Sequence, residues 1–142
     1  SVNHLTVDTA AAEGFSLNAR VWPPLRSRPD VEALQSAVRQ GEVDVISFDH
    51  VGVAAIDREH AFAQSAWGAA TWARGMGPLL ALGLPPLRLM ELLTLGPARV
   101  LNRPTPSLAL GQVADLCLLH PQTGKSALTV VAGRLEHQSP LE

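Results

Sequence analysis

Tyrosine is absent, and only three Trp and three Phe are present, so the chain lacks a stacking platform for nucleic-acid bases. An excess of one charge is missing too: 11 Lys and Arg against 13 Asp and Glu leave a net charge of -2. With no basic cluster, neither a nucleic-acid nor a membrane-surface partner is expected. The single cysteine, Cys117, excludes an internal disulfide framework and fits a reducing, cytoplasmic compartment. Set in Asp115-Leu-Cys-Leu-Leu119, it reads as a small buried hydrophobe on a strand rather than a nucleophile. No apolar run reaches the ~20 residues of a membrane-spanning helix. The start, Ser1-Val-Asn-His4, has no signal-peptide layout and no initiator Met, so the chain reads as a piece of something longer. No internal repeat or low-complexity segment occurs.

What is present is a globular composition, 46% hydrophobic and 17% charged over 142 residues, the size of one ordinary domain. Val2 to Val7, Ser16 to Trp22 and Val43 to Phe48 are apolar enough to read as strands, the second stopped by Pro23-Pro24. A helix is expected from Pro29-Asp30 to Gly41, where Val31, Leu34 and Val38 share a face. An Ala-rich stretch from Asp57 to about Leu82 has helical character, and Pro85-Pro86 introduces a further helix over Leu87 to Leu95. Gly96-Pro97 is expected to break it, with one more turn over Ala98 to Leu101. Beyond Asn102, closely spaced Pro and Gly punctuate short strands at Asp115 to Leu119 and Ala127 to Val131. Alternating elements of this kind imply an α/β fold with parallel strands. Three such strands would leave bare edges, so the pattern reads as part of a larger barrel, and self-association through those edges is expected.

Four ordered stretches resemble dihydroorotases of the cyclic-amidohydrolase family. His4-Leu-Thr-Val-Asp8 is similar to the family's His-Leu-x-Leu-x-Asp, and Arg20-Val-Trp-Pro-Pro-Leu-Arg26 to its Lys-x-Asn-Pro-Pro-Leu-Arg. Asp44-Val-Ile-Ser-Phe-Asp-His50 resembles the eighth-strand motif that ends Asp-His-Ala-Pro-His. Leu93 to Leu101 with Leu110 to Leu116 resembles the closing segment. The resemblance implies the C-terminal third of a (β/α)8 TIM-barrel hydrolase: strands six to eight over residues 1–101, and over 102–142 the β-rich tail of a small composite sandwich.

For such enzymes the resemblance implies zinc, which activates a water and polarises the scissile carbonyl. His4 matches the family's last histidine ligand, and Asp49 its aspartate that contacts metal and acts as base. The family's remaining ligands precede His4, so a metal site requires the rest of the barrel, and this chain alone is expected to bind none. His50 is expected to point away from Asp49. His60, His120 and His137 read as surface histidines. Arg26 stays open between a substrate contact and a structural ion pair. Two departures go beyond missing sequence. Trp22, which donates only one hydrogen bond, stands where the family has a substrate-binding asparagine. Val53 stands where a histidine helps hold the substrate carboxylate, and an aliphatic side chain cannot pair with it.

The resemblance therefore implies a catalytically degenerate dihydroorotase-like protein of pyrimidine biosynthesis, similar to the non-catalytic chains that assemble with aspartate carbamoyltransferase. The alternative is a fragment of an active zinc amidohydrolase acting on another cyclic amide. A third reading is a small independent binding module.

Overall fold

The computed structural model describes residues 1–140. The helix α2, Arg28–Gln40, follows from its own ends. The Asp30 carboxylate accepts from the Ser27 backbone and hydroxyl, and Gly41 closes the helix in the left-handed conformation at φ 82°. The Ser27 hydroxyl, then its backbone N–H, hold the Asp30 carboxyl below the usual carboxylate range. Val31 and Val38 are buried, as their spacing requires.

The expected parallel strands do not form a ladder among the described residues. Val2–Thr6 is a short helix, α1, whose turns close through Leu5 N–H to Ser1 O and Val7 N–H to Asn3 O. Residues 16–22 contain a 3-10 turn, Leu17–Ala19. Residues 43–48 are extended but have no paired neighbour; Ser47 O accepts from Val2 N–H at 2.8 Å, and Ile46 N–H donates to Leu92 O at 3.0 Å. A strand is stable only when adjacent strands satisfy its backbone polar groups. With no such neighbours here, the β-branched residues of Val2 to Val7 are overridden, and local hydrogen bonds win.

The Ala-rich stretch forms a 3-10 turn, Ile56–Arg58, and a helix α3, Trp72–Leu80. Gly68 interrupts it at φ 144°, a conformation that L side chains rarely adopt. Gly96-Pro97 does not break the next element. The helix α4, Pro86–Met90, continues through a π turn, Glu91–Leu95, into α5, Gly96–Val100. Pro97 needs no N–H at the start of α5, and the π turn shifts the hydrogen-bond register by one residue, Gly96 N–H reaching Glu91 O. Arg88 fastens this run to the extended segment by donating to Val43 O at 2.9 Å while pairing with Glu91 at 2.8 Å. The hydrogen bond from Arg88 is the main cause holding the Glu91 carboxyl below its usual range.

Val2, Leu5, Val38, Ile46, Met76, Leu79, Leu82, Leu89 and Leu92 form the main core. Val21, Leu25 and Ala69 form a smaller one. The tail is an antiparallel meander of β1, Leu116–Leu119, β2, Ser126–Val131, and β3, Arg134–Gln138. The first two match the sequence reading; the third was not foreseen, because Arg134-Leu-Glu-His-Gln138 is polar. Cys117 lies on β1 opposite Thr129 but is exposed, contrary to expectation. It lines an open cleft of about 970 Å³ with Phe48, Trp72, Met76 and Met90, and its sulfur lies 3.5 Å from Ser126 Oγ and 3.9 Å from Thr129 Oγ1. Among the described residues no helix is long and apolar enough to cross a membrane.

Candidate functional site

The hydrogen bond from Val2 N–H to Ser47 O brings α1, which carries His4, beside the end of the extended segment that leads to Asp49. The Ser1 hydroxyl lies 2.9 Å from His4 Nδ1. The other imidazole nitrogen, Nε2, lies 2.9 Å from Pro23 O. A carbonyl only accepts, so Nε2 donates to Pro23 O and Nδ1 accepts from the Ser1 hydroxyl.

Asp49 sits where the extended segment turns, at φ 51°, a left-handed conformation that Asp tolerates better than most residues. Its side chain is half-buried and makes no hydrogen bond or ion pair among the described residues. His50 turns elsewhere: its Nδ1 accepts from Thr71 N–H at 3.0 Å and Trp72 N–H at 3.2 Å, satisfying the start of α3. Phe48 stacks on Trp72 with ring centroids 4.8 Å apart.

His4 and Asp49 are two residues of ligating type, whereas a zinc ion takes at least three protein ligands. Among the described residues no three His, Cys, Asp or Glu side chains gather into a candidate metal site.

Trp22 is 68% exposed and meets Trp67 edge-on, with centroids 5.3 Å apart. Beneath Trp67 lies Arg20, its guanidinium carbon 3.9 Å from the Trp67 ring centroid and 5.5 Å from that of Phe62. Arg20 is only 7% exposed and donates from Nε to Ser65 O at 2.6 Å and from Nη2 to Ala63 O at 3.0 Å. Arg58 supplies a second clasp, donating to Leu17 O, Asn18 Oδ1 and Gly68 O. These two arginines hold the irregular 59–68 segment against the 17–22 segment. Val53 packs with Val51 against Gly68, where an added Cβ would come within 2.9 Å of both side chains. Arg26 is exposed and makes no ion pair among the described residues; its main-chain O accepts from Thr9 N–H at 2.9 Å.

Sequence reading missed Arg20, Arg58 and the capping role of His50, since each acts on backbone atoms distant in the chain. It also missed a cleft of about 320 Å³ between α1, the 16–25 segment and α3. Asn3 and Thr71 belong to its wall, and Asn3 Nδ2 and Thr71 Oγ1 are buried with no hydrogen-bond partner.

No protein-family model matches the chain. Among curated proteins it is similar to the dihydroorotase of Anaeromyxobacter dehalogenans, 37% identical over 119 residues, which is 81% of this chain and 28% of that protein. It is likewise similar to the dihydroorotase of Syntrophus aciditrophicus, 35% identical over 127 residues, 84% of this chain and 29% of that one. The chain thus spans less than a third of the length of these relatives. Among solved structures it superposes on an L-hydantoinase (dihydropyrimidinase) from Arthrobacter aurescens with a TM-score of 0.75 at 21% identity, covering 97% of this chain and 38% of that one. A dihydropyrimidinase from Brevibacillus agri gives a TM-score of 0.78 at 15% identity, covering 96% and 38%.

Proposed function

Starting from a chain that is a homologue of dihydroorotases and shares a fold with hydantoinases, we propose that it is the C-terminal part of a catalytically degenerate dihydroorotase-like protein. In this reading residues 1–101 supply strands six to eight of a (β/α)8 barrel, and 102–142 supply the tail of a small sandwich. The scaffold is kept for assembly with aspartate carbamoyltransferase catalytic chains.

The observation that carries this reading is the aromatic wall at Trp22. A substrate amide needs a small hydrogen-bonding partner with both donor and acceptor. Trp22 instead presents an indole edge fixed against Trp67, which rests on the buried Arg20. Val53, packed against Gly68, adds an apolar group where a carboxylate would need a cation or donor. The exposed outer strands β1 and β3 supply edges for association, either with the partner or between copies of the chain.

The competing reading, an active zinc amidohydrolase for another cyclic amide, is favoured by Asp49. Its carboxylate is half-buried and uncommitted at the end of the extended segment, where a proton-transferring group would have to be. That reading requires metal ligands from outside this chain.

Assembly is tested by co-expressing the longest natural version of the protein with the aspartate carbamoyltransferase catalytic chain of its own source. Stoichiometric co-elution in size-exclusion chromatography, stable to 0.5 M salt (roughly a 4 Å Debye length), is expected. Separate elution of the two proteins at micromolar concentration would remove the assembly role.

A further inference from the structure

The residues on either side of Asp49 are both tied to the first turn of α3. On one side, the Phe48 ring stacks on Trp72, with centroids 4.8 Å apart and planes 17° from parallel. The same ring lies against Gly75, where an added Cβ would come within 2.8 Å of Phe48 Cε1. On the other side, His50 Nδ1 accepts from Thr71 N–H and Trp72 N–H, and the His50 ring lies 6.0 Å from that of Trp72. Trp72 thus serves both neighbours of Asp49, by its ring toward Phe48 and by its main chain toward His50. Trp72 and Gly75 are three residues apart on α3 and share a face, so one helix surface receives the whole contact.

The backbone is held beyond these residues as well. Ser47 O accepts from Val2 N–H at 2.8 Å, and Val51 N–H donates to Ala69 O at 3.0 Å. Between these anchors Asp49 takes φ 51°. An L residue adopts that conformation at a cost, smallest for Asp and Asn, and the strain persists only where the surroundings over-determine it. Fixed points at Ser47, Phe48, His50 and Val51 supply that constraint. The carboxylate takes no part in it: among the described residues it makes no hydrogen bond or ion pair.

We propose that Phe48 and His50 are positioning residues that lock Asp49 in the left-handed conformation, so that its carboxylate is presented in one direction with its oxygens free. The lock is separate from recognition at Trp22 and Val53, which can fail while Asp49 stays in place. It stands whether or not Asp49 serves a reaction. The test is thermodynamic coupling, read from urea unfolding of the protein. Asp49→Gly relieves left-handed strain, since glycine takes positive φ without a steric cost. If Phe48 and His50 enforce the strain, that relief exists only while both are in place. The effect of Asp49→Gly on the folding constant is therefore expected to be about fivefold more favourable in the parent than in His50→Leu, which removes the acceptor. Phe48→Leu, which removes the stack, should shrink the effect in the same direction and carries the test if His50→Leu does not fold. His50→Asn, whose side-chain oxygen can accept in place of Nδ1, should restore most of the coupling. A His50 that only caps α3 would instead give additive effects, because capping is indifferent to the residue at 49. Additivity within about twofold in the His50→Leu and Phe48→Leu backgrounds would overturn the assignment, as would His50→Asn behaving like His50→Leu. No turnover enters the test, so its failure leaves the reading of Trp22 and Val53 untouched.

Discussion

Gly96→Ala is expected to destabilise the protein by about 3 kcal/mol or more, read as a fall in the urea midpoint at constant slope. Helix propensity alone gives the opposite sign, since alanine is favoured over glycine by about 1 kcal/mol in a helix. The difference comes from the neighbour. Gly96 lies where the π turn meets α5, and an added Cβ would collide with the Asp44 carbonyl oxygen and press on Glu91 O. Both obstacles are main chain and cannot swing aside as a side chain would. The collision would push the helix away from the 43–48 segment, stretching the Ile46 to Leu92 hydrogen bond and opening the core around Ile46 and Leu92. Gly77→Ala provides the control: its Cβ would meet Thr123 O at an ordinary 3.5 Å, so the same change in α3 should be neutral or stabilising. Equal and favourable effects at both positions would mean that the helix does not approach Asp44 this closely.

Arg20→Met is expected to cost about 3 kcal/mol and to free the 59–68 segment. The guanidinium is buried, donates two charge-assisted hydrogen bonds to Ser65 O and Ala63 O, and lies on the Trp67 face. Methionine retains much of the apolar stem but leaves two carbonyls without a donor and removes the cation from the ring, the latter worth about 0.5–2 kcal/mol. Released from Arg20, Trp67 loses its support and Trp22 its edge-on neighbour, so tryptophan emission should move to longer wavelength. Arg20→Lys should fall between parent and Met, because a point charge cannot both stack on the ring and bridge two carbonyls. A loss below about 1 kcal/mol in Arg20→Met with unchanged emission would show the clasp to be unnecessary.

Local rules made several of these features legible in the sequence. Ser27 and Asp30 mark the start of α2 and Gly41 its end, within residues that carry their own hydrogen bonds. The β1 and β2 strands were legible for a similar reason, since turn residues bracket them and they pair with each other. Val2 to Val7 and Ser16 to Trp22 were not, because strand character depends on partners, and without them the backbone bonds to itself. Continuation through Gly96-Pro97 was hidden because propensity disfavours it, while the close approach to Asp44 requires a glycine there. Motif order alone singled out His4 and Asp49, and the structure brings their two segments together through Val2 and Ser47. The Arg20 clasp spans 43 to 45 residues to main-chain atoms that carry no sequence signature. The Asn3 and Thr71 cleft is likewise a property of packing, invisible in residue type.

Degeneracy of the hydrolase site is the central claim, and it rests on Trp22 and Val53. The most direct measurement is dihydroorotase turnover together with metal content, on the longest natural version of the protein purified without chelator. No turnover of dihydroorotate and no stoichiometric zinc is the predicted result. Turnover accompanied by stoichiometric zinc would contradict the account and establish that the Trp22 wall and Val53 are tolerated in a working site.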